Sequence, residues 1–171
     1  EHRHKVRIRN AFLMGACEVT QDEYHQVMRT RPSWFGAEGK GHAKVAGKST
    51  GEFPVDSGSW FDARELWNRL SELDGRPPYY RLQSIKRQGN SMVSAEVEVR
   101  GGLGYRLPTE GEWEFACRAG SMGPYHAVTG KSKLRGNFQY RQAVVYGTQT
   151  KIAGLGRSTR VRSYAPNSWG L

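Results

Sequence analysis

Three times along this chain a threonine or serine stands three residues ahead of a carboxylate, at the head of an apolar pattern. The pairs are Thr20 with Glu23, Ser59 with Asp62, and Thr109 with Glu112. Each pair can satisfy two backbone N–H groups that a helix start leaves without partners, so each marks a helix N-terminus. Behind the first, Tyr24, Val27 and Met28 form the expected buried face, until Arg31-Pro32 breaks the helix. Behind the second, Ala63, Leu66, Trp67, Leu70 and Leu73 follow at helical spacing, and Gly75 with Pro77-Pro78 stops them. Arg64, Glu65, Arg69 and Glu72 are then expected on the outer face. Behind the third, Trp113, Ala116 and Cys117 make an apolar stripe that Gly120 can close.

Between the helices the signals are those of short strands and turns. Val6 and Ile8 alternate with basic residues over 6–12, the period of a half-buried strand. Residues 79–82 can begin another strand. Residues 94–100 alternate Ala95, Val97 and Val99 with Glu96, Glu98 and Arg100, as a strand with one wet face would. Residues 101–104 form a turn, and residues 36–51, rich in lysine and glycine, read as a mobile surface loop. Short strands are expected at 142–146 and 151–155. With 21 glycines, 7 prolines and 37% hydrophobic residues in 171, the pattern excludes a helical bundle. The expected architecture is one α+β domain over residues 1–171, with three short helices, small antiparallel sheets and much irregular structure.

No apolar run reaches membrane-spanning length, and residues 1–5 lack a signal-peptide core. The expectation is a soluble chain with no membrane partner, the cytoplasm favoured over export. Cys17 and Cys117 lie 100 positions apart without a CxxC partner, which gives no zinc site and reads as two buried thiols, with a single disulfide between them as the alternative. The net charge of +10 is unevenly placed: residues 1–114 carry 17 basic and all 16 acidic side chains, residues 115–171 nine basic and none acidic. The basic residues of the last third are spread thinly and follow no nucleic-acid-binding motif, so an acidic protein surface is the expected partner rather than nucleic acid.

Candidate chemistry is sparse. Glu110, Glu112 and Glu114 suggest paired carboxylates, but Glu112 caps its helix and acidic residues in a first turn complement the helix dipole. Arg106 and Arg118 are expected to pair with carboxylates as framework. No serine–histidine or cysteine–histidine pairing emerges, so no catalytic, cofactor-binding or metal-binding residue is assigned. Trp34 and Phe35, beside the 36–51 loop, are the possible ligand contacts.

The run Tyr105-Arg-Leu-Pro-Thr-Glu-Gly-Glu-Trp-Glu-Phe-Ala-Cys-Arg-Ala-Gly120 resembles the signature of the sulfatase-modifying-factor family, known for its formylglycine-generating enzymes. Other segments match in the right order. Glu18-Val-Thr20 with Glu23, Arg31-Pro-Ser33, Pro54-Val55, and Ser59-Trp60-Phe-Asp62 resemble its first half, and Pro166-Asn167-Ser-Trp-Gly170-Leu resembles the motif preceding its catalytic half. Residues 68–71 and 77–81 resemble the broad bacterial branch. Gly58, Trp67 and Gly111 depart from the residues the family favours, which implies local repacking.

The resemblance implies a C-type-lectin-like fold of the formylglycine-generating-enzyme type. By its motif, Glu18, Thr20, Glu23, Pro54, Trp60, Asp62, Arg106, Pro108, Thr109, Glu110, Glu112, Trp113, Arg118, Asn167 and Gly170 are framework residues. It also implies that the family domain continues past this chain, with the copper-binding cysteine pair of its oxidases lying further on. Copper, and calcium, are therefore expected only of a full, active family oxidase. The expected function is a non-catalytic binding or scaffold module, like relatives fused to kinases or serving as variable proteins of diversity-generating retroelements. Its partner is then a protein or the remaining C-terminal half of the domain. The alternative is part of a copper-dependent oxidase that converts a protein cysteine to formylglycine, completed by a further segment or chain.

Overall fold

All three capping boxes are closed in the computed structural model, which describes residues 6–122 and 155–171. They start α1 (Gln21–Met28), α2 (Trp60–Leu73) and α3 (Glu110–Arg118). Between α2 and α3 lies an antiparallel hairpin, β1 (Tyr80–Gln88) and β2 (Ser91–Val99), paired from Tyr80↔Val99 to Gln88↔Ser91. Its ladder is interrupted between Gln83 and Lys86 and again at Arg87, and Ser84 takes a positive φ of 50° there. The architecture is α+β, as expected, with one two-stranded sheet among the described residues. The chain forms two compact parts: Glu18–Leu107 with Gly156–Val161, and Glu1–Cys17 with Pro108–Leu155 and Arg162–Leu171.

The larger part is built around Tyr24 and Met28 of α1 and Leu66 of α2, with Val19, Val27 and Val55 packed against them. A bridge between Thr20 and Pro54 closes this core, and Val55 N–H donates to Val19 O at 2.8 Å.

Polar side chains then fasten α2 to the hairpin. Asp62, 2% exposed, accepts from Ser59 N at 2.9 Å, from Met92 N at 2.7 Å and from Ser91 Oγ at 2.6 Å. Burial alone would raise the carboxyl's pKa, but these hydrogen bonds outweigh it and hold the group below its ordinary value. Ser59 Oγ also donates to Met92 O at 2.6 Å, and the Met92 side chain is fully buried. One turn on, Glu65 takes Arg87 of β1 through both oxygens and Arg69 of its own helix at 2.8 Å. Asn68 donates to Tyr80 O at 2.7 Å and accepts from Tyr80 N at 3.0 Å. Ser71, wholly buried, donates to Trp67 O and accepts from Tyr105 N, both at 2.7 Å.

In the smaller part, α3 ends on two left-handed residues, Ala119 (φ 45°) and Gly120 (φ 81°). The Asn167 amide donates to Ala116 O at 2.8 Å and Cys117 O at 3.1 Å, while its Oδ1 accepts from Trp169 N and Leu171 N. One side chain thus caps the helix end and folds the following turn, in which Gly170 has φ 86°.

Several local expectations give way to tertiary context. Residues 6–12 form no strand, because no described strand lies beside them to complete a ladder. Glu65 is buried rather than outward, drawn in by Arg87. Leu73 is 71% exposed because the last turn of α2 runs past the core. On α3 the buried side is Glu112 and Ala116, so Trp113 is 58% exposed and is not part of an inner stripe; Cys117 is half-buried. The 36–51 segment is a folded series of turns with a 3₁₀ helix at His42–Val45 and buried anchors Val45 and Thr50. The strand expected at 142–146 lies outside the described residues, as does the one expected at 151–155 apart from Leu155, which is in no strand; Lys131, Lys133, Arg135, Arg141 and Lys151 also lie outside them. Among the described residues no helix is long and apolar enough to cross a membrane.

Candidate functional site

A partly enclosed surface lies where the chain leaves α1. Arg29 ends the helix in the left-handed region (φ 60°), and Pro32 commits the following residues to a tight reversal. Asp56 organises that reversal from more than twenty residues away. Its carboxylate accepts from Trp34 N at 2.6 Å and Phe35 N at 3.4 Å, while its own N–H donates to Ser33 Oγ at 3.1 Å. From the other side Gln21, 5% exposed, donates to Phe35 O at 3.3 Å. Gly36 N–H closes onto Ser33 O and Gly41 N–H onto Trp34 O, at 3.2 and 2.9 Å.

Two glycines are required by close approach. A Cβ on Gly39 would strike the carbonyl oxygens of Ser33 and Trp34, and one on Gly41 would enter the Trp34 ring. The Trp34 indole therefore lies on the backbone at Gly41 with 47% of the residue still exposed.

The reversal walls a cavity of about 250 Å³. Gln21, Arg31, Pro32, Ser33, Glu38 and Val55 line it together with neighbouring backbone. Arg31 pairs with Asp22 at 3.1 Å, and with Glu38 in the lining the cavity is bordered by residues of both charge signs. Such a site offers an apolar floor, hydrogen-bonding groups and both signs of charge, a composition suited to holding a polar ligand. Trp34 and Phe35, the expected ligand contacts, build this wall through their backbones, and their rings are not among the lining groups.

The framework residues read from the sequence are distributed as follows. Thr20 and Glu23, Ser59 and Asp62, and Thr109 and Glu112 are engaged in capping. Pro54 bridges to Thr20, Glu110 lies in the first turn of α3, Pro108 precedes its cap, and Glu18 is exposed. Arg118 pairs with Glu114 at 2.7 Å, while Arg106 donates to Leu107 O and stands over the Tyr79 ring. Trp60, the first residue of α2, is 52% exposed. The carboxylates that suggested acid–base chemistry thus include one cap and one i,i+4 ion pair. Gln21, Asp56, Gly39 and Gly41 were not legible as site residues, because nothing next to them in the chain announces partners up to 23 positions away.

Copper chemistry needs a donor set. Among the described residues no three His, Cys, Asp or Glu side chains gather, and Cys17 and Cys117 are each a free, half-buried thiol.

A sheet-poor α+β scaffold that suspends ordered loops from capped helices is a C-type-lectin-like fold. The chain belongs to the sulfatase-modifying factor enzyme 1-like family, whose pattern it matches over residues 1–171. It is similar to the chaperone protein LppX of Paenibacillus barcinonensis, 31% identical over 127 residues, covering 71% of this chain and 41% of that protein. Its fold resembles that of Treponema denticola variable protein 1, with a TM-score of 0.59 and 25% identity, covering 90% of this chain and 55% of the other. The chain thus spans about half the length of the relatives it matches.

Proposed function

We propose that this chain is a non-catalytic binding module that holds a segment of a protein partner in the cavity beside Trp34. The observation that carries this reading is the preformed wall: Asp56, Gln21 and the close backbone approach at Gly39 set its shape before any ligand arrives. Preorganisation of this kind lowers the ordering cost of binding. The relative described as a chaperone supports a protein as the thing held, and the half-exposed Trp34 supplies an aromatic rim of the type common at interfaces.

Family membership favours a second reading, part of a copper-dependent oxidase acting on a protein cysteine. One pair of measurements separates the two. The chain, alone and with the C-terminal half of a family oxidase added, is incubated with copper, oxygen and a sulfatase-type cysteine peptide, and the chain alone is screened against a peptide array. The binding module yields no aldehyde and selects array peptides whose retention falls about tenfold in Glu38→Ala or Arg31→Ala variants. Aldehyde formation, or selection indifferent to both substitutions, overturns it.

A further inference from the structure

On α2, away from the cavity, Trp60, Arg64 and Trp67 recur at a spacing of four and then three, and so share one face of the helix. The Arg64 guanidinium lies over the Trp60 ring, with the Tyr80 ring centroid 4.9 Å away. Arg64 Nε and Nη1 are enclosed and meet no acceptor, and the same holds for Trp67 Nε1 one turn on. These three groups are all donors, and leaving buried donors unmatched is costly. Burial pushes the guanidinium pKa below its ordinary value, with the neighbouring Tyr80 acting in the opposite direction.

The carboxylates that could neutralise Arg64 from its own helix are committed. Asp62 is filled by Ser59, Ser91 and Met92, and Glu65 by Arg69 and Arg87. Trp60 meanwhile sits over this cation with half its surface in water.

We infer that the face of α2 bearing Trp60 and Arg64 is a docking point for a carboxylate side chain on a segment of a partner protein. The missing partner group must accept hydrogen bonds and carry negative charge, which a carboxylate does in the planar geometry a guanidinium fits. The exposed Trp60 ring supplies the adjoining apolar contact. Tryptophan and arginine together are the residue types on which interface energy concentrates.

A nucleic-acid backbone fits less well. It would need a tract of available cations, whereas Arg69 and Arg87 are held by Glu65 and Arg81 by Glu98 at 3.6 Å. This surface is separate from the cavity, so either can fail without the other.

The test uses the full 171-residue chain and a blocked peptide alternating leucine with aspartate. Its leucine–asparagine counterpart and a short DNA duplex are the controls. The signals are the Arg64 Nε–H and Trp67 indole N–H resonances, together with Trp60 emission. The acidic peptide is expected to shift both resonances saturably and to change the emission, while the asparagine peptide and the duplex leave them in place. Arg64→Gln is expected to weaken the acidic peptide about tenfold, and Glu38→Ala, at the cavity, to leave its affinity unchanged. Equal shifts from the two peptides, no shift from either, or a response to the duplex alone overturns the proposal. The comparison of peptides on the unmodified chain decides even where the Arg64 variant does not fold.

Discussion

The capping boxes of α1 and α2 use the same three-residue spacing in different surroundings. Thr20 and Glu23 exchange their hydrogen bonds in exposed positions, with Glu23 accepting from Thr20 N at 2.8 Å. Ser59 and Asp62 do the same beneath the surface, and there each also holds β2: Asp62 through Ser91 and Met92, Ser59 through Met92 O. One box only begins a helix. The other joins a helix to a hairpin thirty residues away. The difference shows that a capping motif's weight in the fold depends on what else its carboxylate can reach once water is excluded.

That contrast can be broken most directly at Asp62. Asp62→Ala strands Met92 N and Ser91 Oγ as well as the helix start, and should cost about 3 kcal/mol in urea unfolding. A cost as small as that of an exposed cap would show that the ties to β2 contribute nothing. The same carboxylate makes a pH prediction. Its folded pKa is depressed, so its stabilisation is complete above the ordinary carboxylate range and is lost as pH falls through the lowered folded value. Acid unfolding of the wild-type chain should therefore lose a component that Asp62→Asn lacks, and coincident acid profiles would contradict it.

Next in size is Glu65→Gln, which removes the charge that gathers Arg69 and Arg87. Both arginines are partly solvated, so the expected loss is about 1 kcal/mol, reduced further by salt. A loss that does not respond to salt would indicate a packing role instead. The smallest effect is expected at the exposed box, where Thr20→Ala should cost about 0.5 kcal/mol by thermal melting. A loss there equal to that of Asp62→Ala would dissolve the comparison.

Local grammar was readable in the sequence wherever the answer lay within one helix turn. All three starts, the Tyr24 and Met28 face, and the alternation of Ala95 and Val97 against Glu96 and Glu98 appear as the residue types required, while Val99, expected on the same inner face, is 61% exposed at the strand end. What escaped the sequence depended on distant partners. Glu65 reads as a solvent residue until Arg87, 22 positions on, reaches it. Val45 looks like one apolar residue in a polar loop, yet it anchors a 3₁₀ turn at 3% exposure. Trp113 has the chemistry of a core residue, and the side of α3 that is buried is a neighbouring one. The candidate site was half legible: Trp34 and Phe35 lie in the turn that walls the cavity, while Gln21 and Asp56, which shape that turn, gave no local signal.

The Asn68 side chain has a consequence for how copies of this protein meet. By taking both the N–H and the C=O of Tyr80, its amide imitates one residue of a third strand at the root of the hairpin. A strand whose first outward-facing polar groups are already engaged cannot be extended there by another chain, so the helix acts as a built-in terminator of sheet growth. Assembly through shared strands would have to start nearer the tip, where the interrupted ladder and the positive φ of Ser84 disturb the straight edge that filament growth requires. Among the described residues the two ends of β1 are thus guarded differently, one by a borrowed amide and the other by its own irregular backbone.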